Sequence, residues 1–271
     1  MWVITSGEIA LGAMYFGTKQ DDTLSFALLD RFVERGGRWI DTADNYAFWV
    51  DPSGVGGASE STIGAWLRRH PDARQQVRIS TKVGADPTTP GDWPGSMEGL
   101  GRDAILRAVA RSLERLGTDH VDLLWAHVED REVALTEQVE AFGAVTGAGW
   151  ARSVGASNHA IWRVERARAI ARGRGLEPYS ALQLRHTYLQ PIPFRALPDG
   201  GHVVATPEAL DYARAEGLAL WSYNTLLAGA FANHDRLQQP YRHPDTTARL
   251  RALDDVARRL GASRSQVVLA W

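Results

Sequence analysis

The sequence predicts an α/β fold, a (β/α)8 TIM barrel, on three observations. Short β-rich runs alternate with longer stretches of helical periodicity along the 271 residues. The strand candidates begin roughly 30–45 residues apart, the size of a βαβ unit. The length suits one α/β barrel, which often runs to roughly 250 residues. Alternation of this kind means a parallel sheet covered by helices.

The strand candidates, in order, are "EIALGAM" (8–14), "RWIDTA" (38–43), "VRISTKV" (77–83), "VDLLWAH" (121–127), "ARSVGAS" (151–157), "YSALQL" (179–184) and "LALWSYN" (218–224). Helical patterns lie between them. "DTLSFALLDRFVERG" places Leu24, Ala27, Leu28 and Phe32 on one expected face, at i, i+3, i+4 and i+8. "RDAILRAVARSLERLG" does the same with Ile105, Val109, Leu113 and Leu116 and sets arginines on the other face. Each ends in a glycine, Gly36 or Gly117, a stop signal. "TPEALDYARAEG" starts with Thr206 as N-cap and Pro207 at the first helical position. An open doubly wound sheet is the competing architecture, but its dinucleotide fingerprint needs G-x-G-x-x-G after the first strand. "LGAMYFG" (11–17) lacks that spacing, and no P-loop is present. The barrel is therefore expected as a single domain over 1–271. Two long loops rich in Pro and Gly, 84–101 and 186–205, follow strands. In such a barrel the loops after strands form the face where chemistry occurs.

The strand candidates fall one short of the eight that a barrel needs. The last stretch, "TTARLRALDDVARRLGASRSQVVLAW", is helical, with Ser263 as an N-cap, and stops at Trp271 inside an apolar run. The expectation is a C-terminally incomplete barrel whose eighth strand and last helix are absent from this chain.

Composition narrows the function. A formal net charge of -2, from Lys+Arg 30 against Asp+Glu 32, favours neither nucleic acid nor an anionic membrane surface as partner. With no cysteine, disulfides, thiolate metal sites and thiol nucleophiles are excluded. "MWVITSGEIALGAMYFG" has an apolar stretch but no basic flank, and carries Glu8 and three glycines, so it makes a poor signal peptide. No apolar run approaches the ~18 residues of a membrane span. A soluble, cytoplasmic protein is expected, with the oligomeric state left open.

Three successive strand candidates end in Asp41, Lys82 and His127, and Tyr46 stands on the loop just after Asp41. Taken singly, the Asp reads as a turn cap, the His as structural and the Tyr as uninformative. Together they read as one site. A free tyrosine, with a pKa of ~10, is a poor acid at neutral pH. A lysine ammonium nearby stabilises the phenolate and is expected to lower that value by about 1–3 units. Asp41 would keep Lys82 charged and aimed, and His127 would orient a substrate oxygen. The product is a general acid directed at a carbonyl oxygen. It protonates an alkoxide as it forms, so something else attacks the carbon. No serine or cysteine nucleophile fits, and a cofactor hydride is the natural source. A metal centre is disfavoured, because Lys82 beside Asp41 and His127 would repel a cation.

At this point the sequence resembles the aldo-keto reductase superfamily. "DTADNY", "STKVG", "VDLLWAH", "SVGASN", "ALQL" and "SYNTLLAG" occur in the family's order through nearly the whole chain. The resemblance implies that Asp41, Tyr46, Lys82 and His127 are the catalytic tetrad, with Tyr46 the proton donor. It implies that Ser157, Asn158 and Gln183 hold a nicotinamide carboxamide, that Tyr223 stacks on the nicotinamide ring, that Asn224 and Leu226 cradle the pyrophosphate, and that Met14 lies near the ribose. Asp41 belongs to both sets. The implied cofactor is NADPH, with NADH not excluded, and the implied substrate is a small aldehyde or ketone. In the family, the segments expected to be missing at the end of this chain carry much of the adenosine and 2′-phosphate contact. Two departures stand out: Asn224-Thr225 replaces the family's frequent Ser-Pro, and "DNYAFWVDPSGVGGASE" is longer than the usual turn after the tyrosine.

Two other classes compete with a reductase. One is a cofactor-binding regulatory protein, like channel-associated relatives in this superfamily. The other is a barrel lyase or isomerase using Lys82 as a Schiff base, which would need that lysine neutral, whereas Asp41 keeps it charged. For the substrate, "WPGSM", "TYLQPIPF" and Phe48–Trp49 supply aromatics and prolines, fit for an apolar or sugar-ring-binding pocket.

Overall fold

The computed structural model of the chain describes residues 8–195, 197 and 200–271. Residues 1–7, on which the signal-peptide reading partly rests, lie outside the described residues, as do positions 196, 198 and 199 of the second long loop. The chain divides into two compact units, the first running to Leu182 and the second from Gln183 to Trp271. No helix of the described residues is long and apolar enough to cross a membrane.

In chain order the elements are β1 (Ala10–Gly12), α1 (Asp22–Glu34), β2 (Trp39–Asp41), α2 (Ala58–Arg69), α3 (Ala73–Gln76), β3 (Arg78–Val83), α4 (Arg102–Leu116), β4 (Leu123–Ala126), α5 (Leu135–Gly147), β5 (Val154–Ser157), α6 (Ile161–Gly173) and β6 (Ala181–Arg185). They continue with α7 (Pro207–Ala215), β7 (Ala219–Tyr223), α8 (Pro244–Leu260) and α9 (Arg264–Ala270). The hydrogen-bonded strand order is β1-β2-β3-β4-β5-β6-β7. This is the βα repeat of a (β/α)8 barrel through its seventh strand. All seven expected strands are present, each one to four residues shorter than its sequence run, with β6 reaching one residue past its run to Arg185.

The pairings from β1 to β5 are parallel, and their register positions the chemistry. Asp41 stands opposite Gly12 on one side and Ser80 on the other, and Lys82 opposite Trp125. Side chains alternate along a strand, so Ser80 and Lys82 share one face of β3 while Thr81 takes the other. Ser80 and Lys82 both reach Asp41, whereas the Thr81 hydroxyl donates at 2.6 Å to Glu60 of α2. A strand buried along nearly its whole length can therefore carry three polar residues, each with a partner on its own face.

Helix α1 corrects the expected face. Its buried residues are Ser25, Phe26 and Leu29, while Leu24 is exposed. The segment is apolar on more than one side, so a 3.6-residue period alone selects the wrong stripe. Helix α4 follows expectation more closely: Ile105, Val109 and Leu116 are buried, joined by Ala108 and Ser112, with Leu113 half-buried. Gly117 ends it in the left-handed conformation at φ 66°.

Helices α2 and α4 meet where a side chain would not fit. A Cβ on Gly64 would lie 2.1 Å from the Arg115 carbonyl oxygen. Close by, Arg115 donates at 3.2 Å to Glu60, whose side chain is fully buried. Backbone closeness here is the condition for that ion pair.

The loop at 84–101 is pinned along its length. Pro87 and Met97 form an antiparallel bridge, Thr88 N donates to Ser96 O at 2.6 Å, and Glu98 N to Asp86 O at 3.0 Å. The Glu98 carboxylate accepts from Gly84 N at 3.2 Å and from Arg111 at 2.9 Å. Beside it lies Asp44, buried, with neither carboxylate oxygen receiving a donor from the described residues. Burial, and then the charge of Glu98, push the Asp44 carboxyl well above the usual range. The same two causes raise Asp86 to about 6. Gly91 N, in the same loop, donates at 3.0 Å to Gly54 O, and a Cβ on Gly54 would come within 2.9 Å of Gly91 N.

In the second unit Thr206 caps α7 by accepting from Ala209 N at 3.1 Å, as the sequence predicts. Ser263 and Gln266 form a full capping box at α9. The unit's apolar core gathers Leu189, Leu227, Phe231, Tyr241, Leu250 and Leu253. Buried Arg185 is bonded to the Tyr241 hydroxyl at 3.1 Å and to Gln238 at 2.7 Å.

Gly64→Ala should destabilise the fold by roughly 1–3 kcal/mol, the scale of overpacking; an unchanged midpoint in urea would refute the close approach. For Asp86, a folded pKa above the unfolded ~3.9 contributes stability that is present in acid and lost as pH rises through about 6. Asp86→Asn mimics the protonated form, so its stability relative to wild type should rise between about pH 3.5 and about pH 6.5, the span set by the unfolded ~3.9 and the folded value of about 6. A difference that stays flat across that window would clear Asp86 of the effect.

Candidate active site

All four residues of the expected tetrad lie in the first unit, and the structure brings them together. The Lys82 ammonium, buried at the end of β3, donates at 2.7 Å to Asp41 and at 2.7 Å to the Thr42 carbonyl. Asp41 is further held by the Ser80 hydroxyl at 2.6 Å. Lys82 also stands over the Tyr46 ring, 4.8 Å from its centroid. The His127 ring packs edge-on to Tyr46, with centroids 5.8 Å apart and planes at 76°. His127 follows β4 and is bound to β3 through its own N–H, which donates to Val83 O at 3.0 Å. The segment after β2 stays tied to β3, since Asp44 N donates to Lys82 O at 3.1 Å, so Tyr46 is delivered on an anchored turn.

The electrostatics partly overturn the expectation for Tyr46. Burial raises its phenol above the usual value, Lys82 pulls it down, Asp41 pushes it up again, and burial prevails. The expected net depression is therefore not found. Burial also opposes the charge on Lys82, but Asp41 and then Tyr46 outweigh it, and the ammonium is held above its ordinary range. Both groups keep their protons at neutral pH. Lys82 thus serves by lowering the cost of negative charge on the phenol oxygen when a proton leaves it.

The residues assigned by resemblance to a cofactor fall in both units. In the first, Met14 is half-buried after β1, and Ser157 and Asn158 are buried at the end of β5. The Asn158 side-chain amide donates to Ser157 Oγ at 3.1 Å and to His127 O at 3.2 Å, which joins this pair to the tetrad. In the second, Gln183 is buried in β6, and Tyr223 ends β7 with its ring 5.2 Å from that of His202. Asn224 accepts from Ala228 N at 3.1 Å, and half-buried Leu226 precedes a single 3-10 turn. Asn158 and Asn224 both adopt positive φ, 57° and 53°. That left-handed region is uncommon outside glycine and collects at functional sites. In the first unit, the Ser157 hydroxyl and the neutral Asn158 amide fit the mixed donor and acceptor edge of a carboxamide.

Three features escaped the sequence reading. Asp44 and Glu60 sit in "DTADNY" and "GGASES", where their burial has no periodic signature. Glu98 joins them only because the 84–101 loop folds back. Tyr15 stands near Trp49, a contact between two loops that no local pattern announces.

A profile described as the aldo/keto reductase family matches residues 8–271. Among curated proteins, an uncharacterized oxidoreductase, YrpG, of Bacillus subtilis (strain 168) is 29% identical over 97% of this chain and 78% of its own length. An aryl-alcohol dehydrogenase, GME11368, of Pestalotiopsis microspora is 29% identical over 98% of this chain, which spans 66% of that protein. Norsolorinic acid reductase of Aspergillus flavus is 30% identical over 65% of this chain and 45% of its own length. The profile takes in every described strand and helix of both units, and the chain belongs to the aldo/keto reductase family.

Proposed function

We propose that the protein is a nicotinamide-dependent reductase of aldehydes or ketones, with Tyr46 as general acid. The observation that carries this reading is the buried Lys82, fixed by Asp41 and the Thr42 carbonyl and set 4.8 Å from the centroid of the Tyr46 ring. His127, its ring beside the phenol, orients the carbonyl oxygen. As that oxygen gains charge it takes the Tyr46 proton, and Lys82 compensates the phenolate left behind. The cofactor, when bound, supplies the hydride to the carbonyl carbon and is oxidised as C=O becomes CH–OH. Ser157, Asn158 and Gln183 are proposed to hold its carboxamide, Tyr223 to face its ring, Asn224 and Leu226 to meet the pyrophosphate and Met14 to neighbour the ribose. NADPH is the family's expectation for the cofactor, and NADH is its comparison in any assay. The named activities of the reductase and dehydrogenase relatives support a carbonyl–alcohol couple.

Tyr46→Phe removes only the phenolic proton. It should lower kcat by ~10²–10⁴-fold, the scale of general acid catalysis, while fold and cofactor affinity are kept. Near wild-type turnover on a panel of carbonyls would exclude Tyr46 as the acid. Tyr223→Ala should weaken cofactor binding by roughly 1–2 kcal/mol, on the scale of an aromatic stacking contact. An unchanged dissociation constant in a fluorescence titration would remove Tyr223 from the cofactor site.

A further inference from the structure

A cleft of about 670 Å³ lies between the start of α5 and one side of α6, within the first unit. No residue of the tetrad lines it. Its volume is that of a small-molecule site. Val133, Leu135 and Ile170 give it an apolar wall, and Arg131, Arg163 and Arg166 a charged one. Positions 163, 166 and 170 are spaced i, i+3 and i+7, so α6 turns a single face to the cleft.

Two of these arginines share one counter-charge. Arg131 and Arg163 both pair with the Glu129 carboxylate, Arg163 at 3.6 Å, and that carboxylate also accepts from Ala160 N at 2.8 Å. Arg163 donates to Asp130 O at 2.8 Å and is only 11% exposed, yet its buried Nε has no hydrogen-bond acceptor among the described residues. Trp162 keeps both guanidiniums near its ring, 6.0 Å and 5.8 Å from the centroid. Arg166 is exposed, and no carboxylate of the described residues pairs with it. Against them the lining itself carries only Glu132. Helix α5 begins at the same wall. Its N-cap is Ala134, which supplies no side-chain acceptor, and its first-turn acid Glu137 is engaged by Arg102 N at 3.0 Å. The positive end of the helix is therefore left for another acceptor. Arginines that serve only solubility have no need of a concavity. Here guanidiniums, a helix start and apolar side chains meet in one. An inorganic ion would leave the apolar wall unused, and a neutral apolar molecule would leave the cations unused.

We infer that this cleft binds a small organic anion, its acid head at Arg163, Arg166 and the start of α5, its apolar body along Val133, Leu135 and Ile170. A carboxylate and a phosphate monoester share that chemistry. The inference stands apart from the reductase reading.

The test is calorimetric titration of the full chain, with and without NADPH, using octanoate, octyl phosphate and 1-octanol. At least one anion should bind wild type with a Kd below about 1 mM and at least about tenfold tighter than 1-octanol, and the tighter of the two identifies the head. Arg166→Glu and Thr136→Glu should each raise that Kd at least about tenfold, the worth of one charge-assisted hydrogen bond. Both positions are exposed, and an acid in the first turn favours a helix, so the fold is kept. Tyr46→Phe should bind the anion as wild type does. No anion binding, 1-octanol matching the anions, or a Kd unchanged in Arg166→Glu and Thr136→Glu overturns the inference. A loss confined to Tyr46→Phe overturns it too, by placing the anion at the tetrad.

Discussion

The Lys82–Asp41 ion pair is the constraint around which the first unit is organised. An ammonium taken out of water loses several kcal/mol of solvation even after relaxation, and keeps its charge only with close, well-aligned partners. Lys82 has Asp41 and the Thr42 carbonyl at 2.7 Å each. Those partners exist because β2 and β3 pair in a register that sets Asp41 opposite Ser80, two residues before Lys82. Shifting that register by one residue would turn Lys82 to the opposite face, toward Glu60. The pair is thus a consequence of strand alignment and a reason for it.

How much of this the sequence disclosed depends on the range of the interaction. Strands and caps are local: β-rich runs, Thr206 before Pro207 and Ser263 before Gln266 announce themselves within a few residues. The tetrad was legible because its members close consecutive βα units, so topology brings them together. The inward face of α1 was not, since Leu24 and Phe26 are equally apolar and only packing decides between them. The Tyr46 phenol was misjudged for a related reason. Chemistry identifies Lys82 as its neighbour, but the depth of burial that outweighs Lys82 is a property of the assembled unit. Asp44 and Glu98 lie far apart in sequence, and their shared environment arises only from the return of a loop.

The two asparagines in the left-handed region deepen the picture at the ends of β5 and β7. Neither position is a glycine, although glycine would adopt φ near 55° without strain. An asparagine tolerates that conformation better than most residues and adds an amide for recognition. Asn158 uses its amide toward His127 O and Ser157, and Asn224 accepts from Ala228 N. Left-handed backbone and side-chain hydrogen bonding fall on the same two residues.

The glycine-to-glycine contact between Gly54 and Gly91 has a consequence for how such a protein can diversify. The loop that carries Trp49 and the loop at 84–101 meet backbone to backbone, with no room for a side chain at Gly54. Neither can change length or trajectory alone without breaking the seam or forcing the other to move. Grafting one loop from a homologue would carry a geometric mismatch that grafting both would avoid. These two segments are best exchanged as a single cassette.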